Sequence, residues 1–281
     1  MSALHTLDFE EFSRSLLPVL QRAGAAIMEV YAGTPNVLLK ADRSPVTDAD
    51  HVSEEIVLEA LSRLMPDVPV IAEEQAARGT TPAIGSEFFL VDPLDGTKEF
   101  LKANGEFTIN VALVQNEAPV FGAVYAPEKC DCYLTLQGGR AFRCRLLPSK
   151  SATPYPMLEF TPLTGKPPAG RPLTAIVSRS HPRPETLKFL EKLGDPPRMT
   201  MGSSLKFGVL ARGDADVYPR FGPTSEWDIA AGHALLNAAG GCILTTDGRP
   251  LRYGKKATNF TNPAFVAWRS ALDAAAVHFR G

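Results

Sequence analysis

The sequence predicts layered α and β structure, α+β in character, with helices lying between sheets rather than around one doubly wound sheet. Three observations lead there. Helical and strand-like segments interleave along the whole chain, the pattern of layered domains. Two strand pairs occur early with only a short turn between their members, and such hairpins do not fit a purely parallel sheet. The length of 281 residues allows one large domain or two closely packed ones.

The elements follow in order. Leu7 to Tyr31 reads as a helix, with Phe12, Leu16, Val19, Leu20, Ala23 and Ile27 at helical spacing. Asn36 to Val46 reads as a polar loop. Thr47 or Asp48 caps a second helix, whose Val52, Ile56, Ala60, Leu61 and Leu64 share a face until Met65-Pro66 stops it. Val68 to Ala72 and Phe88 to Val91 are short apolar strands that run into Glu73-Glu74 and Asp92. Phe107 to Val114 and Val120 to Tyr125 pair across Gln115-Asn116-Glu117, and Cys132 to Phe142 turns at Gly138-Gly139. Leu147 to Pro172 is proline-rich and reads as a surface loop or linker, which divides the chain into residues 1–147 and 148–281. Strands then fall at Leu173 to Val177, near Met199, at Asp216 to Tyr218, Ile243 to Thr245 and Phe265 to Trp268. Helices fall at Pro184 to Leu193 and Ser204 to Arg212, from Ser225 to Ala239 before Gly240-Gly241, and at the end of the chain.

Composition narrows the function. Hydrophobic residues make up 44% and charged residues 21%, ordinary globular proportions. Lys and Arg number 29 against 31 Asp and Glu, a net charge of −2. That balance excludes a nucleic-acid polymer as the main partner, although a local basic pocket for a small anion is allowed. No apolar run is long enough for a membrane helix. The segment Met1 to Glu11 is acidic where a secretory signal would be basic, so a cytoplasmic location is expected, with peripheral contact at the inner membrane left open. Cys130, Cys132, Cys144 and Cys242 lack zinc-ligand spacing and read as free thiols.

Acidic residues stand at three element ends: Glu73-Glu74, then Asp92-Pro93-Leu94-Asp95-Gly96-Thr97, then Trp227-Asp228. Each abuts an apolar element, and a buried carboxylate is costly unless paired or bound to a cation. Few cationic residues lie close in sequence, Lys98 being the nearest. All-oxygen donors select magnesium, manganese or calcium over zinc. The hexapeptide is the most informative segment. Pro93 fixes a turn and Gly96 permits a tight backbone, so Asp92 and Asp95 can address one space. The Leu94 carbonyl is free to ligate, and Thr97 can orient a water. Pro93 and Leu94 break the calcium-loop pattern. The chemistry of the hexapeptide by itself favours magnesium over an ordinary acidic turn. Glu73-Glu74 alone reads as two solvated loop acids and Asp228 alone as a helix first-turn acid; the three segments together point to a metal.

These segments resemble the inositol monophosphatase-like superfamily. The hexapeptide is similar to its metal signature. Glu73-Glu74 before it, Trp227-Asp228-Ile229-Ala230-Ala231-Gly232 after it and Val46-Thr47-Asp48-Ala49-Asp50 upstream match the remaining signatures in order. Within the superfamily, three segments resemble the bacterial 3'(2'),5'-bisphosphate nucleotidases: Thr97 to Thr108, Gly202 to Phe207 and Tyr218 to Thr224. Lys98-Glu99-Phe100 stands where an inositol phosphatase usually has Thr-Asn-Phe. Gln75 and Glu226 depart from the pattern but leave the acids intact.

The resemblance implies a layered αβαβα sandwich whose two halves both contribute metal ligands. It implies two or three Mg²⁺ ions. Glu73, Asp92 and the Leu94 carbonyl would hold the first; Asp92, Asp95 and Asp228 the second; a weaker third would lie near Glu73. Thr97 with Asp50 would orient the attacking water, and Glu74 would support it. The substrate would be adenosine 3',5'-bisphosphate, cleaved to AMP and phosphate, with 3'-phosphoadenosine 5'-phosphosulfate as a second candidate, in a reaction linked to sulfur assimilation and sensitive to lithium. The cleaved phosphate would meet Glu73, Leu94, Asp95, Gly96, Thr97 and Asp228, and the second phosphate Ser203, Lys206, Arg220 and His181. An inositol monophosphatase or sugar bisphosphatase is the alternative on the same fold, and a non-catalytic nucleotide-binding protein the alternative of another class. Monomer and homodimer are both left open.

Overall fold

Apolar residues repeat with a period near four in the first helix, α1 (Phe9–Tyr31), and bury Phe12, Leu16, Leu20, Ala23 and Ile27 on one side. The computed structural model describes residues 8–40, 44–136, 139–151, 155–167, 169–181 and 183–278, so Leu7 and Gly138 lie outside the described residues. Asp8 caps α1 by accepting from the Glu10 and Glu11 amides. The second helix, α2 (Asp48–Leu64), is capped by Thr47 in a reciprocal box with Asp50. Short helices α3 (Glu73–Ala77) and α4 (Thr97–Leu101) follow, then α5 (Pro184–Lys192), α6 (Leu205–Arg212), α7 (Glu226–Ala238) and α8 (Ala271–His278).

Seven strands form the first sheet in chain order: Val70–Ala72, Glu87–Asp95, Thr108–Gln115, Ala118–Ala126, Asp131–Leu136, Arg140–Arg145 and Phe160–Leu163. The first pair is parallel and every later pair antiparallel. Five strands form the second, in the spatial order Arg198–Met201, Ala175–Ser178, Val217–Arg220, Phe265–Trp268 and Cys242–Thr245.

The period-2 alternation of strands sorts the core into layers. Phe89, Val91, Val111 and Leu113 point toward α1 and α2. Their neighbours Phe88, Leu90, Ala112 and Val114 point the other way and join α6, α7 and the near face of the second sheet. On that sheet's far face Ala175, Val217, Val266 and Trp268 pack with Leu190 of α5 and Ala274 of α8. The result is the five-layer αβαβα sandwich that the resemblance implied.

Two segments differ from the sequence reading. Part of the expected loop at Asn36 to Val46 is a two-stranded ladder, in which Val37–Leu39 pairs antiparallel with Pro45–Thr47. Its β-branched Val37, Val46 and Thr47 favour extended backbone, and their short period carries too little pattern to be noticed. The proline-rich segment holds Phe160–Leu163, the edge strand of the first sheet. An edge is where Pro162 is tolerated, because a missing donor need not break a ladder. Among the described residues, no helix is long and apolar enough to cross a membrane.

Candidate active site

The acids converge because their elements end together. Glu73 and Glu74 begin α3 directly after the strand Val70–Ala72, and Asp92 lies near the end of the neighbouring strand Glu87–Asp95. That strand's register with Thr108–Gln115 shifts between Asp92 and Asp95, where Pro93 cannot donate to the ladder. The Leu94 amide turns back to donate to Asp92 Oδ1 at 3.0 Å, and the Pro93 carbonyl accepts from Ser53 at 2.8 Å. Gly96 follows with φ at +97°; a β-carbon there would lie 2.9 Å from the Glu106 carbonyl oxygen. Asp228 arrives in the first turn of α7, where its Oδ2 accepts from the Ser225 amide at 2.9 Å.

Glu73, Asp92 and Asp228 each present a carboxylate oxygen within 4.8 Å of the others. Burial, together with the charges of Glu73, Asp95 and Asp228, pushes Asp92 well above the usual carboxylate range. Burial followed by Asp95 and Glu73 does the same to Asp228. Asp95 is also raised by burial, opposed by Lys206 and by Ser204, whose hydroxyl donates to Asp95 Oδ2 at 2.8 Å. Asp95 lies outside the three-acid group but acts on Asp92 and Asp228 through its charge. Buried, mutually repelling all-oxygen donors are the environment a hard divalent cation would relieve, so these residues fit Mg²⁺.

Asp50 accepts at 2.7 Å from both the Thr47 amide and hydroxyl, and Thr97 Oγ1 lies 3.2 Å from Asp50 Oδ1 and 3.4 Å from the Leu94 carbonyl oxygen. Burial lifts Asp50 to about 6, opposed by Thr47 and helped by the Glu74 and Glu73 charges. Glu74 is buried outside the three-acid group; its amide donates to Glu54 at 2.8 Å.

A cation remote in sequence comes close in space. Lys40 places its ammonium 2.5 Å from Glu73 and 2.6 Å from Glu74. Burial disfavours its charge, but the two carboxylates outweigh burial and raise its pKa. Lys40 lies far from both acids in sequence, in a segment read as loop, so no local pattern marks it. Ser204 was also missed, because its value lies in bridging Asp95 and the Asp228 carbonyl.

A cleft of about 350 Å³ gathers these acids with Gly96, Thr97, His181, Ser203, Lys206 and Arg220. Lys206 is buried on α6; its ammonium donates to the Ser203 carbonyl and sits 5.3 Å from the centre of the Tyr218 ring. Burial lowers it to about 8, opposed by Asp95. Ser203 holds a positive φ of 45°, an uncommon backbone for a serine. Arg220 is buried too, donating to Ser178 Oγ at 3.2 Å and the Pro223 carbonyl at 2.9 Å, while its buried Nε has no partner among the described residues. His181 lies 3.4 Å from Lys98 Nζ, and burial followed by Arg220, Lys98 and Lys206 lowers it to about 4. All the residues singled out in the sequence except Asp50 and Glu74 line this one cleft, with Asp50 joined to it through Thr97.

A carboxylate-lined cleft at the junction of two sheets defines the class first: a five-layer fold with an acid centre suited to phosphoryl chemistry. Residues 8–278 match the inositol monophosphatase family, and the chain belongs to that family. Within it, the chain is similar to the 3'(2'),5'-bisphosphate nucleotidase CysQ of Escherichia coli K12, with 41% identity over 87% of this chain and 94% of that protein. The corresponding Haemophilus influenzae protein is 30% identical over 94% and 97%. The crystal structure of CysQ from Bacteroides thetaiotaomicron superposes with a TM-score of 0.76 and 36% identity, covering 92% of this chain and 97% of that one. An inositol monophosphatase from Anabaena shares the fold, with a TM-score of 0.67 and 22% identity.

Proposed function

We propose that the protein is a Mg²⁺-dependent 3'(2'),5'-bisphosphate nucleotidase that releases phosphate from adenosine 3',5'-bisphosphate in the cytoplasm. The observation that carries this reading is the meeting, in one cleft, of the acids Glu73, Asp92 and Asp228 with the buried cations Lys206 and Arg220. A substrate with a single phosphate needs only the acids and their metal. Buried cations beside them ask for a second anion on the same molecule. The similarity to the CysQ nucleotidases supports the same substrate.

Two or three Mg²⁺ ions would be held by Glu73, Asp92, the Leu94 carbonyl, Asp95 and Asp228, and would supply Lewis-acid charge stabilisation and a nucleophilic water. Thr97 and Asp50 would orient that water, with the buried Asp50 carboxylate as the terminal hydrogen-bond acceptor. Glu74, whose charge acts on Asp50, would support this network. Gly96, where a β-carbon would strike the Glu106 carbonyl, would let backbone approach the cleaved phosphate. Ser203, Lys206 and Arg220 would hold the 5'-phosphate, with His181 beside it. The sulfated analogue, 3'-phosphoadenosine 5'-phosphosulfate, would be a second substrate, and lithium would compete for a magnesium position among these acids. On this reading residues 1–147 carry most metal ligands, and residues 148–281 carry the groups for the second phosphate together with Asp228.

The test is phosphate release in Mg²⁺ buffer from adenosine 3',5'-bisphosphate, inositol 1-phosphate and fructose 1,6-bisphosphate, each with and without lithium. A clear preference for the nucleotide is expected, with its release inhibited by lithium. A preference for the inositol or sugar phosphate would overturn the assignment of Lys206 and Arg220.

A further inference from the structure

Beside the active-site cleft lies a second cavity of about 550 Å³. Ser178, His181 and Arg220 line both, so the two spaces are contiguous. Among the described residues, four arginines line the second cavity, Arg179, Arg183, Arg198 and Arg220, and no carboxylate does. A partly enclosed space lined by one sign of charge concentrates ligands of the other sign.

The four arginines are not equivalent. Arg179 donates twice to Glu106, each time at 2.8 Å, and Arg198 is paired with Asp195. Arg220 is fixed by Ser178 and Pro223. Arg183 is exposed and has no acid partner among the described residues. It stands at the cap position of α5, where the helix N-terminus adds to the positive field. Gly222 brings it next to Arg220: a β-carbon there would lie 3.3 Å from Arg183 Nε and 3.8 Å from Arg220 Cζ. Any larger residue at 222 would crowd the approach between the two guanidinium groups.

We propose that Arg183 is a specificity residue that grips a second anionic group on the 5' side of the nucleotide. The cavity then favours 3'-phosphonucleotides carrying a 5'-diphosphate or 5'-phosphosulfate over those with one 5'-phosphate. The inference rests on the reading of Lys206 and Arg220 as the site of the first 5' anion, since the second cavity opens from the first at Ser178, His181 and Arg220. Its geometry suits a planar fork reaching adjacent anionic oxygens, which a lysine at 183 would not reproduce.

Steady-state phosphate release by the full chain tests it. The substrates are adenosine 3',5'-bisphosphate, 3'-phosphoadenosine 5'-diphosphate and 3'-phosphoadenosine 5'-phosphosulfate. Arg183→Ala should raise KM for the two extended substrates about tenfold with kcat nearly unchanged, and alter either constant for the bisphosphate by less than about twofold. Leu187→Glu, which places an acid on the exposed wall of the same cavity, should shift the same constants in the same direction. Loss on only one extended substrate assigns the site to that outer anion. Equal effects on all three nucleotides, or none, overturn the role of Arg183 while leaving the nucleotidase reading intact. A wild-type protein that hydrolyses none of the three overturns both.

Discussion

Two groups of buried aspartates in this molecule meet opposite surroundings. Asp216 is enclosed by cations and donors: Arg171 at 2.8 Å, Arg269 at 2.7 Å and the Thr174 amide at 2.7 Å. Burial alone would raise it, but the Arg171 hydrogen bond, the Thr174 amide and Arg269 outweigh burial and lower its pKa. Asp92 is as deeply placed and Asp228 is half-buried, yet their nearest charged neighbours are other acids, and both are pushed well upward. The first acid is satisfied by the chain itself and ties the 171–174 segment to the second sheet. The second group is left for something the chain does not contain. Burial is common to both; the sign of the neighbouring charge separates a structural acid from one poised for a cation.

The comparison can be broken most directly by neutralising one acid of each kind. Asp92→Asn keeps the acceptor that the Leu94 amide uses and removes a charge from the repelling group. Its expected cost is in turnover, on the order of a thousandfold at saturating Mg²⁺, equivalent to about 4 kcal/mol. Metal-free thermal stability should be unchanged or higher, because repulsion is relieved. Calorimetry without metal, alongside phosphate release, checks both halves. A drop in Tm without loss of activity would make Asp92 a structural acid like Asp216.

Asp216→Asn should do the reverse, losing about 3 kcal/mol of stability by leaving Arg171 and Arg269 without their shared partner. The pH dependence has a definite sign. A carboxylate with a lowered folded pKa stabilises the protein above its unfolded value near ~4, and that contribution fades as pH falls through the folded value. The stability gap between wild type and Asp216→Asn should therefore be full at neutral pH and close in acid. Denaturant titrations at several pH values read this; a gap that stays constant into acid would mean the packing of the side chain, not its charge, supplies the stability.

The same contrast explains what could be read in advance. The hexapeptide from Asp92 to Thr97 was legible because its chemistry is local: a proline, a glycine and two acids within one turn, beside an apolar strand. The layered fold was legible for the same kind of reason, since the period of each element and the early hairpins are short-range patterns. Asp216 carried no such mark. Its partners Arg171 and Arg269 come from a proline-rich segment and from the bend between the strand Phe265–Trp268 and the last helix, and only the fold brings them together. The edge strand Phe160–Leu163 was hidden by its prolines, and Ser204 by lying one residue past Ser203, the one that was noticed. Lys40 is the clearest case. From sequence it is a lysine in a loop, yet its ammonium pairs with Glu73 and Glu74 at the acid centre.

Lys40 also offers the finest adjustment of the comparison, because it is the part of the acid group that resembles Asp216. Its ammonium partly offsets Glu73 and Glu74 when no other cation is present. Lys40→Met keeps most of the apolar stem and removes that charge. Without metal the loss should be about 1 kcal/mol, modest because the repulsion it uncovers is shared among several groups and Lys40 is not fully enclosed. With saturating Mg²⁺ the loss should shrink, since the ion then supplies the positive charge that Lys40 provided, and binding itself adds stability to the folded state. Thermal melts of wild type and Lys40→Met, each with EDTA and with excess Mg²⁺, give the four values required. A difference that is the same in both conditions would mean Lys40 acts only as a structural tie for the 37–47 hairpin. A difference that vanishes with Mg²⁺ would mean the chain carries its own weak substitute for the ion, held at the edge of a site whose deeper acids stay unpaired.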